Sequence, residues 1–218
     1  MHSREIETYK KSLKLTRNQR EVLVGMLLGD AHLETQDKGK TYRLKVEHKA
    51  AHRFYVEHLY RIFQKWVRTP PKTRLHAATN GTLCEMIGFQ TYSHGALRFY
   101  GHQFYRDGRK CVPESIKRWL TPKSLTYWFM DDGSLKWRHS RAVILNTQCY
   151  QREEVERLSR LLQEKFGLDA KPRKQREGYQ ICVSGHSLTE FVKLIGPNLL
   201  PEMSYKIPLT GRTLLPKE

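Results

Sequence analysis

The chain has 218 residues, of which 39% are hydrophobic and 11% aromatic, enough to form one large domain or two small ones with real cores. Its 39 Lys and Arg against 22 Asp and Glu give a formal net charge of +17, which favours a polyanionic partner, nucleic acid before an acidic membrane surface. No apolar run approaches the ~18 residues that span a bilayer, and the first 20 residues lack the apolar core of a secretory signal, so we expect an intracellular protein with no membrane partner.

The cysteines and histidines give no pattern typical of a metal or disulfide site. The four cysteines are widely spaced and form no CxxC pair: Cys84, Cys111, Cys149 and Cys182. We therefore expect reduced thiols, and neither a zinc site nor a disulfide framework. His48 and His52 have the i, i+4 spacing of metal ligands, but no third ligand is evident, so a surface or groove-lining pair is the favoured interpretation.

In chain order, a basic lead-in over residues 1–17 is followed by a predicted helix through EVLVGMLLGD, capped by Thr16 or Asn18. The next segment, TYRLKVE, alternates apolar and polar residues, which predicts a strand with one buried and one solvent-facing side. The rest of the first half predicts a helix over residues 50–67, strands over 72–79 and 82–92, and a helical segment over 94–105.

The second half repeats this order. Pro122 stands at a first-turn position of a helix through KSLTYWFMDD, which Gly133 ends. The later elements are predicted as strands over 134–137 and 142–148, a helix over 152–167, strands over 169–174 and 179–185, and a helix over 187–197. Each half therefore reads helix–strand–strand–helix–strand–strand–helix, which indicates internal duplication. We place the first half at residues 18–112 and the second at 113–218.

The two halves align on LVGMLLGDA, residues 23–31, and LTYWFMDDG, residues 125–133. Each is an apolar helix that ends in an acid and a small residue, and the two helices are expected to pack on each other. Gly25 and Gly29, one turn apart, leave a flat surface for that contact. The acids Asp30 and Asp132 would then lie side by side, at helix C-termini that disfavour carboxylates. Divalent cations would relieve this repulsion, and hard oxygen ligands suit Mg²⁺.

These two motifs, in this element order, resemble the LAGLIDADG homing endonucleases of the single-chain, two-motif kind. The likeness also covers TPKSLTYWFMDDG, ILNTQ, EEVERL and MSYKIP in the second half, and LLGDAHL, GKTY and the W…PPK region in the first. It therefore runs over roughly residues 18 to 210. The resemblance implies an α+β fold with two pseudo-symmetric αββαββα halves, whose antiparallel sheets form a DNA-binding saddle.

The resemblance also implies the residues of the active site. Catalytic roles fall to Asp30, Asp132, Lys110 and Lys206, and the metal set comprises Asp30, Asp132, Gly29 and Asp131. Asp131 stands where a small residue is usual and Tyr127 replaces a motif glycine, so the helices cannot pack with true two-fold symmetry. Two roles stay open for Asp131: a backbone hydrogen bond, or a place in the metal shell.

DNA contacts are expected on the solvent-facing sides of the strands. The candidates are Arg43, Lys45, Glu47, Arg74, Lys136, Arg138, Asn146, Gln148, Lys171, Arg173, Lys174, Gln180 and Ser184. Their side chains can read base edges, and phosphate contact is an equally good interpretation for each lysine and arginine.

The predicted function is site-specific hydrolysis of both strands of a long double-stranded DNA target, with short 3′ overhangs. Mg²⁺ is the expected cofactor; Mn²⁺ is expected to substitute, and Ca²⁺ to support binding without cleavage. The protein is expected to act as a monomer, in an organelle or a prokaryotic cytoplasm. Two alternatives use the same fold: an RNA-binding maturase that acts on its own intron RNA, and a catalytically inactive DNA-binding regulator. Retention of both acids and both lysines argues against the inactive regulator.

Overall fold

The structure is a computed structural model that describes residues 4–77, 83–213 and 215. The α-helices in these residues are α1 Arg4–Ser12, α2 Arg17–Leu28, α3 Arg53–Phe63, α4 Arg98–Phe104, α5 Ile116–Trp119, α6 Pro122–Asp132, α7 Arg152–Phe166, α8 Leu188–Ile195 and α9 Leu209–Arg212. The strands are β1 His32–Glu34, β2 Arg43–Lys49, β3 Lys72–Ala77, β4 Leu83–Gln90, β5 Tyr105–Arg106, β6 Arg109–Lys110, β7 Gly133–Leu135, β8 Val143–Leu145, β9 Ala170–Gln175 and β10 Gly178–Val183. Residues 78, 79 and 82, at the ends of two predicted strands, lie outside the described residues.

Two four-stranded antiparallel sheets share one topology. The first sheet has the order β1-β2-β4-β3, and the second has the order β7-β8-β10-β9. The element order α2-β1-β2-α3-β3-β4-α4 recurs as α6-β7-β8-α7-β9-β10-α8. This confirms the predicted α+β fold with two αββαββα halves.

The chain separates into two compact units that do not follow the predicted halves at every residue. One unit is Met1–Arg20 with Asp30–His102, and the other is Glu21–Gly29 with Gln103–Glu218. The body of the first motif helix, α2, is thus grouped with the second unit. The boundary at residues 112 and 113 stays a prediction from the repeat.

Local signals in the sequence account for the start of both motif helices and for the end of the second. The Thr16 hydroxyl accepts a hydrogen bond from the Gln19 amide at 3.2 Å, and the Gln19 side chain accepts one from the Thr16 amide at 3.0 Å. Thr121 caps α6 by accepting from the Ser124 amide, and Gly133 follows its last residue as predicted. Reciprocal caps of this kind satisfy backbone amides that the first helical turn leaves without intrahelical partners.

The spacing of apolar residues in the sequence is less informative for short or interrupted elements. The helix predicted over residues 50–67 is divided into a 3₁₀ turn at Ala50–His52, the α-helix α3 and a second 3₁₀ turn at Gln64–Trp66. The hairpin of β5 and β6 and the helices α5 and α9 are too short to show a period. Within the predicted lead-in, α1 is a helix; the Tyr9 hydroxyl donates to the Lys65 carbonyl at 2.7 Å and fixes it to the first unit.

Candidate active site and nucleic-acid interface

The first motif helix, α2, is apolar on all sides near its end. Leu23, Met26, Leu27 and Leu28 are fully buried. The helix ends at Leu28, and Asp30 follows Gly29 with a side chain that is 52% exposed. Burial of the helix body thus brings a carboxylate to the surface immediately after the last turn.

The two motif helices touch where the first has glycines. A Cβ atom on Gly25 would lie 2.4 Å from the Ser124 carbonyl oxygen and 2.7 Å from the Tyr127 Cβ. A Cβ on Gly29 would lie 2.4 Å from the Asp131 Cβ. Because Cβ atoms do not approach other atoms this closely, only glycine fits at these two positions with the helices in place. The prediction that Gly25 and Gly29 allow close helix contact is confirmed.

These contacts explain why the two motifs differ. In the alignment of the motifs, Gly25 corresponds to Tyr127, and Gly29 corresponds to Asp131. The structure places the small residue of one helix against the large residue of the other at both levels. The departures from true two-fold symmetry are therefore complementary in shape, and the Asp131 side chain packs on Gly29.

A lysine binds the C-terminal carbonyls of each motif helix. The Lys110 ammonium donates to the Gly29 carbonyl, and the Lys206 ammonium donates to the carbonyls of Met130 and Asp131, the latter at 3.0 Å. The last carbonyls of a helix lack intrahelical donors and carry partial negative charge. Positive charge at both helix ends therefore also offsets the unfavourable position of the acids. The main-chain carbonyl of Asp131 accepts from Lys206, and both roles of Asp131 stay predictions.

The two acids that end the motifs have different neighbours. Asp30 Oδ2 lies 3.7 Å from Nδ1 of His48, whose side chain is 9% exposed. The carbonyl of Asp132 accepts from the backbone amide of Asn146 at 3.0 Å and from its side-chain amide at 2.8 Å. His48 is thus a neighbour of an acid. The sequence favoured a surface or groove-lining pair of His48 with His52, and the two ring centres lie 6.5 Å apart.

The outer face of the first sheet, defined as the face that carries Arg43, Lys45 and Glu47, is strongly polar. The residues between them, Leu44 and Val46, are buried as the alternation predicted. The strand register places Gln90 opposite Lys45, Lys72 opposite Gly88 and Arg74 opposite Met86 on that same face. A groove of about 580 Å³ is lined by Gln90, Lys72 and Arg74 together with Arg68 and with Arg43, Lys45 and Glu47 of β2.

Sequence reasoning missed several groove residues, among them Arg68, Lys72 and Gln90. Lys72 precedes Arg74 by two residues in the same strand, so period-two spacing could have found it. Gln90 needed the register between β2 and β4, which the sequence does not give.

Charges in the groove are partly paired. Arg43 lies 2.8 Å from Glu34 and Lys45 lies 3.9 Å from it, and the Arg43 hydrogen bond lowers the pKa of the Glu34 carboxyl. Glu47 lies 3.6 Å from His76. Glu34 thus lies beside two long basic side chains on the sheet surface.

The second sheet places its predicted contact residues less uniformly. Arg173 and Gln180 are opposite each other in the register, and the face that carries them is called here the outer face of the second sheet. Lys171, opposite Cys182, lies on the same face. Lys174 is opposite Tyr179 and so lies on the other face. Lys171 lies 3.2 Å from Asp169, and the Lys136 ammonium lies 4.5 Å from the centre of the exposed Trp137 ring.

Three candidates of the second half, Asn146, Gln180 and Ser184, have hydrogen-bond partners within the protein. Gln180 donates to the Asn146 side-chain carbonyl at 2.7 Å, and Ser184 accepts from the His186 amide at 3.3 Å at the start of a 3₁₀ turn. Arg138 is exposed and Gln148 is half-buried, both near the strand ends. The DNA contacts of all thirteen candidates stay predictions.

The sequence predicts reduced thiols and no membrane-spanning segment. All four cysteines are free, three half-buried and Cys149 exposed. Among the residues that the structure describes, no helix is both long and apolar enough to cross a membrane.

Comparison with known proteins decides the family. The model of the LAGLIDADG DNA endonuclease family matches residues 20–191. This chain belongs to the LAGLIDADG DNA endonuclease family. The resemblance found in the two motifs is thereby confirmed, and family membership supports nuclease activity on DNA.

Similar proteins match nearly the full chain. The probable intron-encoded endonuclease 1 of Wickerhamomyces canadensis is 32% identical over 215 residues, which cover 94% of this chain and 91% of the relative. The cytochrome b mRNA maturase bI2 of Debaryomyces hansenii is 28% identical over 88% of this chain and 74% of its own length. The homing endonuclease I-WcaI, in a structure bound to its DNA recognition sequence, matches with a TM-score of 0.87 and 30% identity over 94% of this chain and 92% of that one.

Proposed function

We propose that this LAGLIDADG family member is a homing endonuclease that hydrolyses both strands of a long double-stranded DNA target and leaves short 3′ overhangs. The observation that carries the proposal is the repeat of one chemical unit: a buried helix, an acid directly after or at its end, and a lysine on its last carbonyls. Both copies are in one chain, so the protein would act as a monomer. Its place is inside the cell, in an organelle or a prokaryotic cytoplasm, because the enzyme must share a compartment with its DNA.

The donor set of the motifs fits a hard divalent cation. Asp30 and Asp132 offer carboxylate oxygens that are at least partly exposed, and the carbonyls of Gly29 and Asp131 add neutral oxygens. Each carbonyl has two lone pairs, so acceptance of a lysine hydrogen bond leaves one for a cation. Oxygen donors favour Mg²⁺, with Mn²⁺ able to substitute and Ca²⁺ supporting binding without cleavage. When bound, the metal would supply an activated water and neutralise charge on the scissile phosphate.

The chain's own residues would supply orientation and charge. Close packing at Gly25 and Gly29 fixes the ends of the motif helices, and therefore the directions of the acids that follow. Lys110 and Lys206 would place positive charge where negative charge develops on the phosphate, a contribution of roughly 10²–10³ in rate for one well-placed donor. The groove on the first sheet and the exposed cations of β9 would bind the DNA through phosphates and base edges.

The decisive experiment substitutes each acid with its neutral isostere. We expect Asp30→Asn and Asp132→Asn each to abolish double-strand cleavage in Mg²⁺, because each removes one charged oxygen donor. DNA binding in Ca²⁺ should survive in both variants. The target is first selected from a randomised DNA library and the cut ends are mapped, which also tests the 3′ overhangs.

Asp107→Asn is a matched control, since Asp107 lies in the exposed turn between β5 and β6. This variant should cut like the wild type. Full cleavage of both strands by Asp30→Asn and by Asp132→Asn would overturn the proposal.

A maturase that binds its own intron RNA is the second candidate. The observation that favours it is the 28% identity to the maturase of Debaryomyces hansenii. Binding to intron RNA with no selected DNA target would support it over the endonuclease.

A further inference from the structure

Tyr150 reaches the end of the first motif helix from the segment between β8 and α7. Its ring is 4% exposed, and its hydroxyl donates to the Leu28 carbonyl at 2.9 Å and approaches the Leu27 carbonyl at 3.4 Å. Leu28 is the last residue of α2 and precedes Asp30 by two residues. Burial also raises the pKa of Tyr150 well above its ordinary value, so the hydroxyl keeps its proton. A neutral donor thus satisfies a helix-terminal carbonyl next to an active-site acid.

The corresponding carbonyl of the second motif helix has a donor of a different kind. The residue aligned with Leu28 is Met130, and its carbonyl accepts from Lys206. Because α3 begins at Arg53 and α7 begins at Arg152, counting back two residues from each gives Ala51 as the counterpart of Tyr150. Alanine has no side-chain donor.

A different contact is present at the second helix. The Asn146 side-chain amide donates to the carbonyl of Asp132 itself at 2.8 Å. Counting back six residues from Arg152 and from Arg53 makes Glu47 the counterpart of Asn146. A glutamate side chain has no amide group, so it cannot make this amide hydrogen bond in the first half.

We propose that Tyr150 is a positioning residue for Asp30 and that Asn146 is a positioning residue for Asp132. The two acids are then oriented by different hydrogen bonds, and the cutting rates of the two DNA strands can be altered separately. The inference rests on the proposed function, because it needs one acid to serve each strand.

The test uses a duplex that carries the selected target, with a different label on each strand. Tyr150→Phe keeps the ring and removes the hydroxyl, and Asn146→Ala removes the side-chain amide. Cleavage is measured in Mg²⁺ in single-turnover conditions at saturating enzyme, so that altered DNA affinity does not enter the rate. DNA affinity and the midpoint of thermal unfolding are measured separately.

We expect Tyr150→Phe to slow one strand roughly threefold to tenfold, the size expected when one hydrogen bond is lost. Asn146→Ala should slow the other strand by a similar factor, so the strand ratio moves in opposite directions in the two variants. A general loss of stability slows both strands together and does not move the ratio. If one variant fails to fold, the ratio in the other decides.

If the wild-type protein cuts both strands and neither variant changes the ratio of the two strand rates, this inference is overturned and the proposed function stands. Equal slowing of both strands by both variants would do the same. A wild-type protein that cuts neither strand would overturn the proposed function, and this inference with it.

Discussion

The two sheets have the same strand order but different outer faces. At the centre of the first outer face, Lys45 is flanked in the register by His32 and Gln90. The equivalent centre of the second outer face is Ile144, flanked by Ser134 and Cys182.

The outer faces also differ where the inner strands β4 and β10 pair with the edge strands β3 and β9. In the first sheet Gly88 lies opposite Lys72, and in the second Gln180 lies opposite Arg173. A groove lined by cations therefore opens in the first sheet, while Gln180 binds Asn146 in the second. The two sheets thus share one topology, while the residues on their outer faces differ in charge and size. Under the proposed function, with DNA contacted by both sheets, this difference predicts a target whose two halves are unlike in sequence.

Among substitutions that test the difference between the two outer faces, Gly88→Ala should have the largest effect. A Cβ at this position would lie 2.4 Å from the Val46 carbonyl oxygen, so the backbone of β2 or β4 must shift. We expect a loss of about 1–3 kcal/mol in the free energy of unfolding, measured by urea titration. Gly95→Ala is the matched control, because a Cβ there meets nothing within 4 Å. Equal stability of the two variants would show that the groove floor tolerates a side chain.

A smaller effect is expected from single cations on the two outer faces. Lys45→Ala in the first sheet and Lys171→Ala in the second should each lower the slope of log K against log salt by about 0.9, if each contacts one phosphate. Any change in base preference should fall in different halves of the target. Binding is measured at several salt concentrations.

Lys117→Ala serves as the control for these cations, since Lys117 precedes the second motif helix and pairs with Glu164 at 3.1 Å. Its salt slope should equal that of the wild type. If Lys45→Ala and Lys171→Ala changed preference at the same target positions, the idea of separately read halves would fail.

The smallest effect concerns the loops that join the first two strands of each sheet. Hydrogen bonds from the Thr41 hydroxyl and amide hold the pKa of Asp37 at about 2, below its ordinary 3.8. The carboxylate therefore stabilises the folded protein above about pH 4, and this contribution is lost as the pH falls through about 2.

In the matching loop of the second sheet, the Ser140 hydroxyl accepts from the Ala142 amide instead. Asp37→Asn should therefore lower the thermal unfolding midpoint at pH 7, and the gap to the wild type should shrink between pH 4 and pH 3. A gap that is constant with pH would mean that the charge of Asp37 is not the stabilising feature.

Much of the fold follows from the sequence because it depends on local periods and caps. The alternation of TYRLKVE gave the buried side of β2, and Thr121 with Gly133 gave both ends of α6. The duplicated order of elements gave the common architecture of the two halves. Short elements such as β1 and β5 were beyond these signals, because three or two residues do not complete a recognisable pattern.

The sequence by itself determined the family, the paired motifs and the acids Asp30 and Asp132, because these are carried by contiguous residues. Only the tertiary structure decided that Asp131 packs on Gly29, that Lys110 and Lys206 bind helix-terminal carbonyls, and that Tyr150 reaches Leu28. These contacts join residues dozens of positions apart, and their geometry depends on how closely two helices approach. No local pattern encodes that distance; it is set by the packing of the whole unit around Gly25 and its neighbours.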